Sequence, residues 1–512
     1  MAYRRSNCRL GLALMGCFLL AVGQSRADPL RAGAAATDIG PIANDQPVHD
    51  PPQLKALVVD NGQTRLAIVC LDAIGVSTQL TAAIRNQIKQ QVGIEPQCVL
   101  VNASHNHHGG PLPPPETVAA RAAETVKRAG DGLVPVRASA GTGHEERITM
   151  NRRLQLADGK AWTIRRAMPS PPDDEIRGVG TVDSEIGVLR LDRTDGRPLA
   201  VLYNFAVHAY GGVPSAAVTA DLPGFASRVV EEGLGDGSVA LFLQGCAGDI
   251  TPVLYKDVDA PPPTERLGAM LGLSTLSALR KLEPTNDVTV RAVSRSIKLP
   301  RRTDLETRIH SLESQQEQIL QFFSGTGCGA HGAGTFLNFK TFLPLYMKHL
   351  ADPEHPSYSS YRYLQEEQTT PGDLDRLDAD NRQRIEKYLA AIEQMEKLIR
   401  VRGNLAALEA LQKEGTEPID AEIQGLRIGP FVLVTFPGEP FAEVGLNIKR
   451  RSPAPETFVA GYSNGHFGYA PTADAYSEEA YEDVNARFGP EWQALFETEA
   501  LKIIEELIAP AQ

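Results

Sequence analysis

Val99-Leu-Val-Asn-Ala-Ser-His-Asn-His-His-Gly-Gly110 is a short apolar, β-branched run that stops at three histidines and two glycines. Val99 to Val101 has the composition of a strand covered on both faces. His105 and His107 alternate with Ser104 and Asn106, so an extended backbone would put both imidazoles on one side. Gly109, Gly110 and Pro111 then break the element. Catalytic groups in open α/β sheets gather at the carboxyl ends of strands. Three of the chain's 11 histidines within four positions therefore point to a metal or catalytic site rather than a polar loop.

Outward from this stretch the pattern alternates. Leu54 to Val59 and Leu66 to Leu71 predict a hairpin turning at Asp60-Asn-Gly62, and Thr78 to Val92 predicts a helix stopped by Gly93. Residues 111 to 185 read as mostly irregular. Strands are expected at Gly187 to Leu191, Leu199 to Val207, Val239 to Leu243, Val288 to Leu299, Phe431 to Thr435 and Thr457 to Ala460. Helices are expected at Pro223 to Leu234, Arg266 to Leu282 and Pro490 to Ile508. Thr303-Asp-Leu-Glu306 is a capping box opening an amphipathic helix, residues 324 to 375 read as irregular, and a second long helix carries Ile385, Leu389, Ile392, Met395 and Ile399. The fold class expected is α/β: a mixed β-sheet catalytic body with flanking helices, residues 28–300 and 421–512, and an inserted helical subdomain, 301–420. That insertion is either a structural brace or a lid over the site.

Residues 1–27 resemble a bacterial signal peptide, with Arg4, Arg5 and Arg9 before an apolar Leu10 to Val22 and Ser25-Arg26-Ala27 before Asp28. Gly16-Cys17 is the alternative lipoprotein cleavage site, disfavoured by Met15 and by the apolar residues beyond it. Export, periplasmic or secreted, is expected. Removing this segment takes away four arginines and no acids, moving the formal charge from −12 to −16. So acidic a chain is a poor nucleic-acid binder. Cys70, Cys98, Cys246 and Cys328 are too scattered for a thiolate zinc site, though one disulfide would suit an oxidising compartment.

Four predicted strands end in chemically capable groups: Ser104-His-Asn-His107, Asn204-Phe-Ala-Val-His208, Phe436-Pro-Gly-Glu439 and Asn464-Gly-His-Phe-Gly-Tyr469. Two or three imidazoles plus a carboxylate form the ligand set of a catalytic zinc. Asp221, in Thr219-Ala-Asp-Leu-Pro-Gly224, is either a partner fixing an imidazole tautomer or a helix N-terminal acid.

With Ala35-Ala-Thr-Asp-Ile-Gly40, Met150-Asn-Arg152, Gln244-Gly-Cys-Ala-Gly-Asp249, Tyr469-Ala-Pro-Thr472 and Tyr481-Glu482, these pieces resemble the neutral, non-lysosomal ceramidases, in order over nearly all of the chain after residue 27. The resemblance implies one Zn2+ per chain held by His105, His208, Glu439 and Tyr469. It implies that His107 lies beside the metal, that Arg152 belongs to the substrate site and that Tyr481 polarises the substrate carbonyl. The expected activity is hydrolysis of the amide of ceramide or a related N-acyl lipid by a metal-activated water. The partner is a lipid-like small molecule, with peripheral membrane contact. His107 is the candidate general acid.

Three departures accompany the resemblance. Thr251 stands in Gly248-Asp-Ile-Thr-Pro252 where the family has a serine, no C-terminal immunoglobulin-like domain is expected, and the 301–420 insertion is positioned to reshape the pocket mouth. The rival readings are a metallohydrolase for another exported amide or ester, and a metal-free binding protein that keeps the fold.

Overall fold

The computed structural model describes residues 29–39, 46–165, 170–253, 263–325, 339–353 and 373–510. The expected signal peptide, the Cys17 alternative and Cys328 lie outside the described residues. In chain order the strands and helices are β1 (Arg31–Asp38), β2 (Gln53–Asp60), β3 (Arg65–Leu71), α1 (Thr78–Val92), β4 (Val99–Ala103), α2 (Pro115–Asp131) and β5 (Val134–His144). Then follow β6 (Thr149–Asn151), β7 (Arg153–Leu156), β8 (Ala161–Thr163), β9 (Ile176–Val179), β10 (Glu185–Arg193), β11 (Pro198–Phe205), α3 (Asp221–Leu234), β12 (Val239–Gln244), β13 (Ile250–Pro252), α4 (Thr264–Leu279) and β14 (Val290–Leu299). Three helices, α5 (Leu305–Gly325), α6 (Phe339–Ala351) and α7 (Asp373–Lys413), precede the final set. That set is β15 (Ile419–Ile428), β16 (Phe431–Thr435), β17 (Glu439–Pro440), α8 (Ala442–Arg451), β18 (Thr457–Ala460), β19 (Tyr469–Ala470), α9 (Tyr481–Val484) and α10 (Trp492–Ile508).

Eight strands form one mixed sheet in the order β12-β11-β10-β5-β1-β2-β3-β4, and β14-β15-β16-β18 form a second. Alternation along the strands sorts the core. Val58, Val69 and Val101 face α1 and α2, where Ile84, Ile88, Val118 and Val126 lie. Val201, Tyr203 and Phe242 face α3 and α4. The opposite set, Leu57, Ile68, Leu100, Leu202 and Leu241, meets Leu426, Phe431, Leu433 and Phe458 of the second sheet. Phe496, Ile503 and Leu507 of α10, with Val444 and Ile448 of α8, cover that sheet's far side. The large sheet curls until its edge strands meet: Gln244, closing β12, donates from its backbone to Asn102 Oδ1 (3.1 Å) and from its amide to Ser104 O (2.9 Å) and Val207 O (2.6 Å). Fully buried Gln244 thus clips together the strand ends that precede His105 and His208.

Three expectations are corrected. Residues 111–185 are not mostly irregular: α2 and β5 fill much of the range. α2 buries Val118, Ala119, Ala122, Ala123, Val126 and Ala129 on one side, a helical spacing obscured in the sequence by the prolines at its start. Residues 324–375 contain α6, a helix despite an internal Pro344. And the histidines do not continue the strand. β4 ends at Ala103, and His105 has φ +59°, a left-handed turn rather than an extended residue.

Candidate metal centre

The backbone around the histidines is stapled on two sides. Ser104 N and Asn106 N donate to Leu71 O (2.9 Å), which closes β3, and to Ala73 O (3.0 Å) just beyond it. His107 N donates to Ala209 O (2.9 Å), and the Asn106 amide donates to Thr219 O (2.7 Å), both in the loop after β11. These bonds hold His105 left-handed against a cost of roughly 1–2 kcal/mol. Tyr462 and Asn464, beyond β18, are likewise left-handed at φ +53° and +59°. Non-glycine residues in this region mark over-determined backbone at working sites.

From these anchors the side chains converge. His105 Nε2 is 2.8 Å from His208 Nε2 and 3.1 Å from His107 Nε2. Glu439 brings Oε2 to 3.5 Å from His105 Nε2 and accepts at Oε1 from His466 Nε2 at 3.0 Å. Fully buried Tyr462 donates to Glu439 Oε2 (3.3 Å) while its ring lies 4.2 Å from that of His105. Glu439 reaches the site because Gly248 lets two chains touch: a Cβ there would stand 2.3 Å from Glu439 O, and Gly248 N donates to Pro440 O (3.0 Å).

Protonation follows from the partners. His105 Nδ1 lies 2.7 Å from Ile74 O and His208 Nδ1 lies 3.1 Å from Ala247 O. Carbonyls only accept, so both Nδ1 atoms carry hydrogen, and in the neutral rings both Nε2 atoms are bare lone pairs. Burial disfavours a second proton, pushing His105 down to about 3 and His208 well below the usual imidazole range. Burial would raise the Glu439 carboxyl, but His105 and the His466 bond outweigh it and hold the group at about 2. Two lone pairs 2.8 Å apart, beside an ionised carboxylate, repel unless a cation joins them. The donor set fits a metal ion.

The remaining expected residues are placed as follows. Tyr469 pairs in register with Glu439 through β17 and β19. Burial and the Glu439 carboxylate hold its phenol well above the usual range. Arg152 is buried, donating from Nε to Glu482 Oε1 (2.7 Å) and from Nη2 to Gly248 O (2.7 Å), with its guanidinium 5.4 Å from the Tyr469 ring centre. Tyr481 stands edge-on to Tyr469 at 5.5 Å. Thr251 is fully buried and accepts from Tyr210 OH (2.7 Å); the Tyr210 ring lies 4.5 Å from that of His208. Asp221 is both of its expected things. It is the acid in the first turn of α3, its Oδ1 accepting from Leu222 N, and its Oδ2 holds an imidazole, but that of His108 (2.9 Å) rather than of the cluster. Among the described cysteines, Cys70, Cys98 and Cys246 are free.

His466 lay within the strand end Asn464 to Tyr469 that the sequence marked as chemically capable, but it carried no assigned role, and neither did Tyr462 just ahead of it.

The architecture has known counterparts. The structure matches neutral ceramidase from Pseudomonas aeruginosa at a TM-score of 0.59 and 16% identity, over 94% of this chain and 75% of that one. It matches a ceramidase complexed with C2 at 0.61 and 17%, over 94% and 76%. The chain has a neutral ceramidase-like fold. No protein-family model and no curated protein sequence matches it.

Proposed function

We propose that this is an exported, zinc-dependent amidohydrolase that cleaves the N-acyl bond of ceramide or a related N-acyl lipid, drawing its substrate from a membrane surface. The reading rests on one observation above the rest: the bare Nε2 atoms of His105 and His208 converge beside Glu439 with their Nδ1 protons already committed to carbonyls. That is the chemistry of a nitrogen-and-oxygen zinc site, and similarity to ceramidase structures supplies the substrate class. His105, His208, Glu439 and Tyr469 would hold one ion. When bound, zinc polarises an acyl carbonyl and lowers the pKa of a coordinated water to about 7.

The chain's own residues do the rest. Ile74 and Ala247 fix the two ligand rings through their carbonyls. His107, the exposed member of the histidine group, carries a proton to the leaving amine nitrogen. The Tyr481 hydroxyl donates to the acyl oxygen as its charge develops. Arg152, clamped by Glu482, keeps Tyr469 in place and adds positive potential behind the site. Thr251 braces Tyr210 against His208, and threonine in place of serine alters substrate fit through that brace.

Elemental mass spectrometry of purified protein, residues 28–512, tests the metal, and a panel of N-acyl sphingoids, simple acyl amides and esters tests the substrate. About one zinc per chain with sphingoid turnover is expected. Turnover restricted to other amides or esters would remove ceramide. No metal after zinc is offered would leave a binding protein with a ceramidase-like fold.

A further inference from the structure

The aromatic pair beside the metal centre is one part of a longer stack. Buried Arg152 lies 5.4 Å from the Tyr469 ring centre, Tyr469 meets Tyr481 edge-on at 5.5 Å, and Arg165 covers Tyr481 at 3.9 Å. The two arginines at its ends differ in what they touch. Arg152 is committed to Glu482 and Gly248 O. Arg165 is exposed, just beyond β8, and among the described residues its guanidinium has no carboxylate or carbonyl partner.

A second guanidinium stacks on an aromatic ring nearby, with Glu396 acting on it only at longer range. Arg400 of α7 lies 4.9 Å over Trp162 of β8, with no carboxylate within ion-pair distance among the described residues. The Trp162 indole N–H is itself buried without an acceptor among the described residues. In a chain with a formal charge of −12, two guanidiniums thus flank one short strand with no ion-pair partner among the described residues. Stacking on an aromatic face leaves the hydrogen-bonding edge of arginine open and orients it, which suits bidentate capture of an anionic oxygen group.

We propose that Arg165 forms an anion subsite at the mouth of the metal centre, selecting N-acyl substrates that carry a carboxylate, phosphate or sulfonate near the scissile amide. This rests on the amidohydrolase reading and refines its substrate class. Ceramide has no such group. A neutral amide therefore leaves the subsite unfilled, whereas an N-acyl amino acid fills it with its carboxylate.

The test compares N-lauroylglycine with N-lauroylethanolamine, which share acyl chain and size and differ in charge. Wild type is expected to favour N-lauroylglycine about 10-fold or more in kcat/KM, the scale of one charge-assisted bond. Arg165→Ala should erase that ratio, and Arg165→Lys should keep part of it. The preference should also shrink at high salt. An equal loss on both substrates in Arg165→Ala would make the residue a prop for Tyr481 and overturn the proposal, as would a wild type with no preference.

Calorimetry with dodecyloxyacetate and 2-dodecyloxyethanol, which hold no amide, separates the two claims. Arg165-dependent binding of the carboxylate without any amide turnover would keep the subsite and sink the hydrolase. Turnover of both amides with equal binding of both ethers would do the reverse.

Discussion

The metal centre and the three helices α5 to α7 are held by opposite means. His105, His208, Glu439 and His466 each follow a buried strand by a few residues; the two ligand rings are tied to backbone carbonyls beyond β3 and β12, and Glu439 and His466 bond each other. The helices instead pack largely on one another, through Phe342, Leu345 and Ile385 at one level and Leu305, Ile309, Leu312, Leu408 and Leu411 at another. Apart from Arg400 stacked on Trp162, their ties to the body gather at the root. Val484 joins the second cluster, Arg302 donates to Asp483 O and Ala486 O, Arg308 reaches Asp483 Oδ2 and Tyr476 O, and Glu414 accepts from Arg301 and Arg487. Away from the root, α6 and α7 leave Leu343, Met347, Leu350, Met395 and Ile399 exposed. Fixation from several sides suits groups that must meet within tenths of an ångström. Fixation at one end suits an element that only has to stand near them.

The largest effect should come from the centre itself. His208→Ala removes a bare nitrogen donor and leaves Ala247 O without its hydrogen bond. Outer partners of metal ligands are worth about 10- to 100-fold each, so losing a ligand should cost at least about 100-fold in turnover together with the bound zinc. Thr251→Ala, which loses only the brace on Tyr210, should alter turnover with zinc retained. Metal content and kcat/KM measured on both variants would check this, and a zinc-replete, active His208→Ala would dismantle the ligand assignment.

Next in size is the charge knot joining the two regions. Glu482 is fully buried, accepting from Arg152 Nε (2.7 Å), Arg153 Nη1 (2.7 Å) and Thr163 Oγ1 (2.6 Å). Glu482→Leu takes the carboxylate from buried Arg152 and leaves Arg153 to Glu478, and should destabilise the fold by about 3–5 kcal/mol in urea melts. A loss below about 1 kcal/mol would mean that the knot is hydrated and that the root is less firmly joined to Tyr481 than its bonds imply.

Local period told where many elements lie. Thr78–Val92, Phe431–Thr435 and Thr457–Ala460 fall at the residues where apolar spacing and Gly93 put them. It failed where prolines open or interrupt a helix, as at Pro115 in α2 and Pro344 in α6. Within the site, His105 and His208 were legible because strand ends are where sheets present chemistry. Their closeness was not, since it depends on Gln244 clipping β4 to β12 and on a left-handed turn at His105. His466 and Tyr462 were hidden for a related reason. Each matters only through an oxygen of Glu439, a meeting of the β16 and β18 ends that no local spacing records.

A smaller, pH-dependent effect lies behind the histidine turn. Asp72 accepts from Gln53 N (2.9 Å), yet burial raises its carboxyl to about 6. The folded chain therefore holds this proton more tightly than the unfolded chain, whose Asp titrates near pH 3.9. Its contribution is greatest below pH 3.9, is lost progressively as pH rises to about 6, and is flat above, amounting to at most about 3 kcal/mol. Asp72→Asn should flatten that fall in urea melts between pH 4 and pH 7. An unchanged slope would show that Asp72 stays ionised, and that the ground under His105 is wetter than its packing suggests.

The smallest effect should be found far from the root. Ile399 and Met395 are 68% and 52% exposed on α7, so replacing each with serine removes little buried surface. Each change should move stability by no more than about 0.5 kcal/mol and leave zinc content alone. The contrast with Glu482→Leu is the point of the measurement, because both sites bear on how the helices are attached. If either serine variant cost more than about 1 kcal/mol, that face of α7 would have to be covered in solution. The helices would then be gripped along their length, and the division between a centre fixed on several sides and an element fixed at one end would no longer describe the molecule.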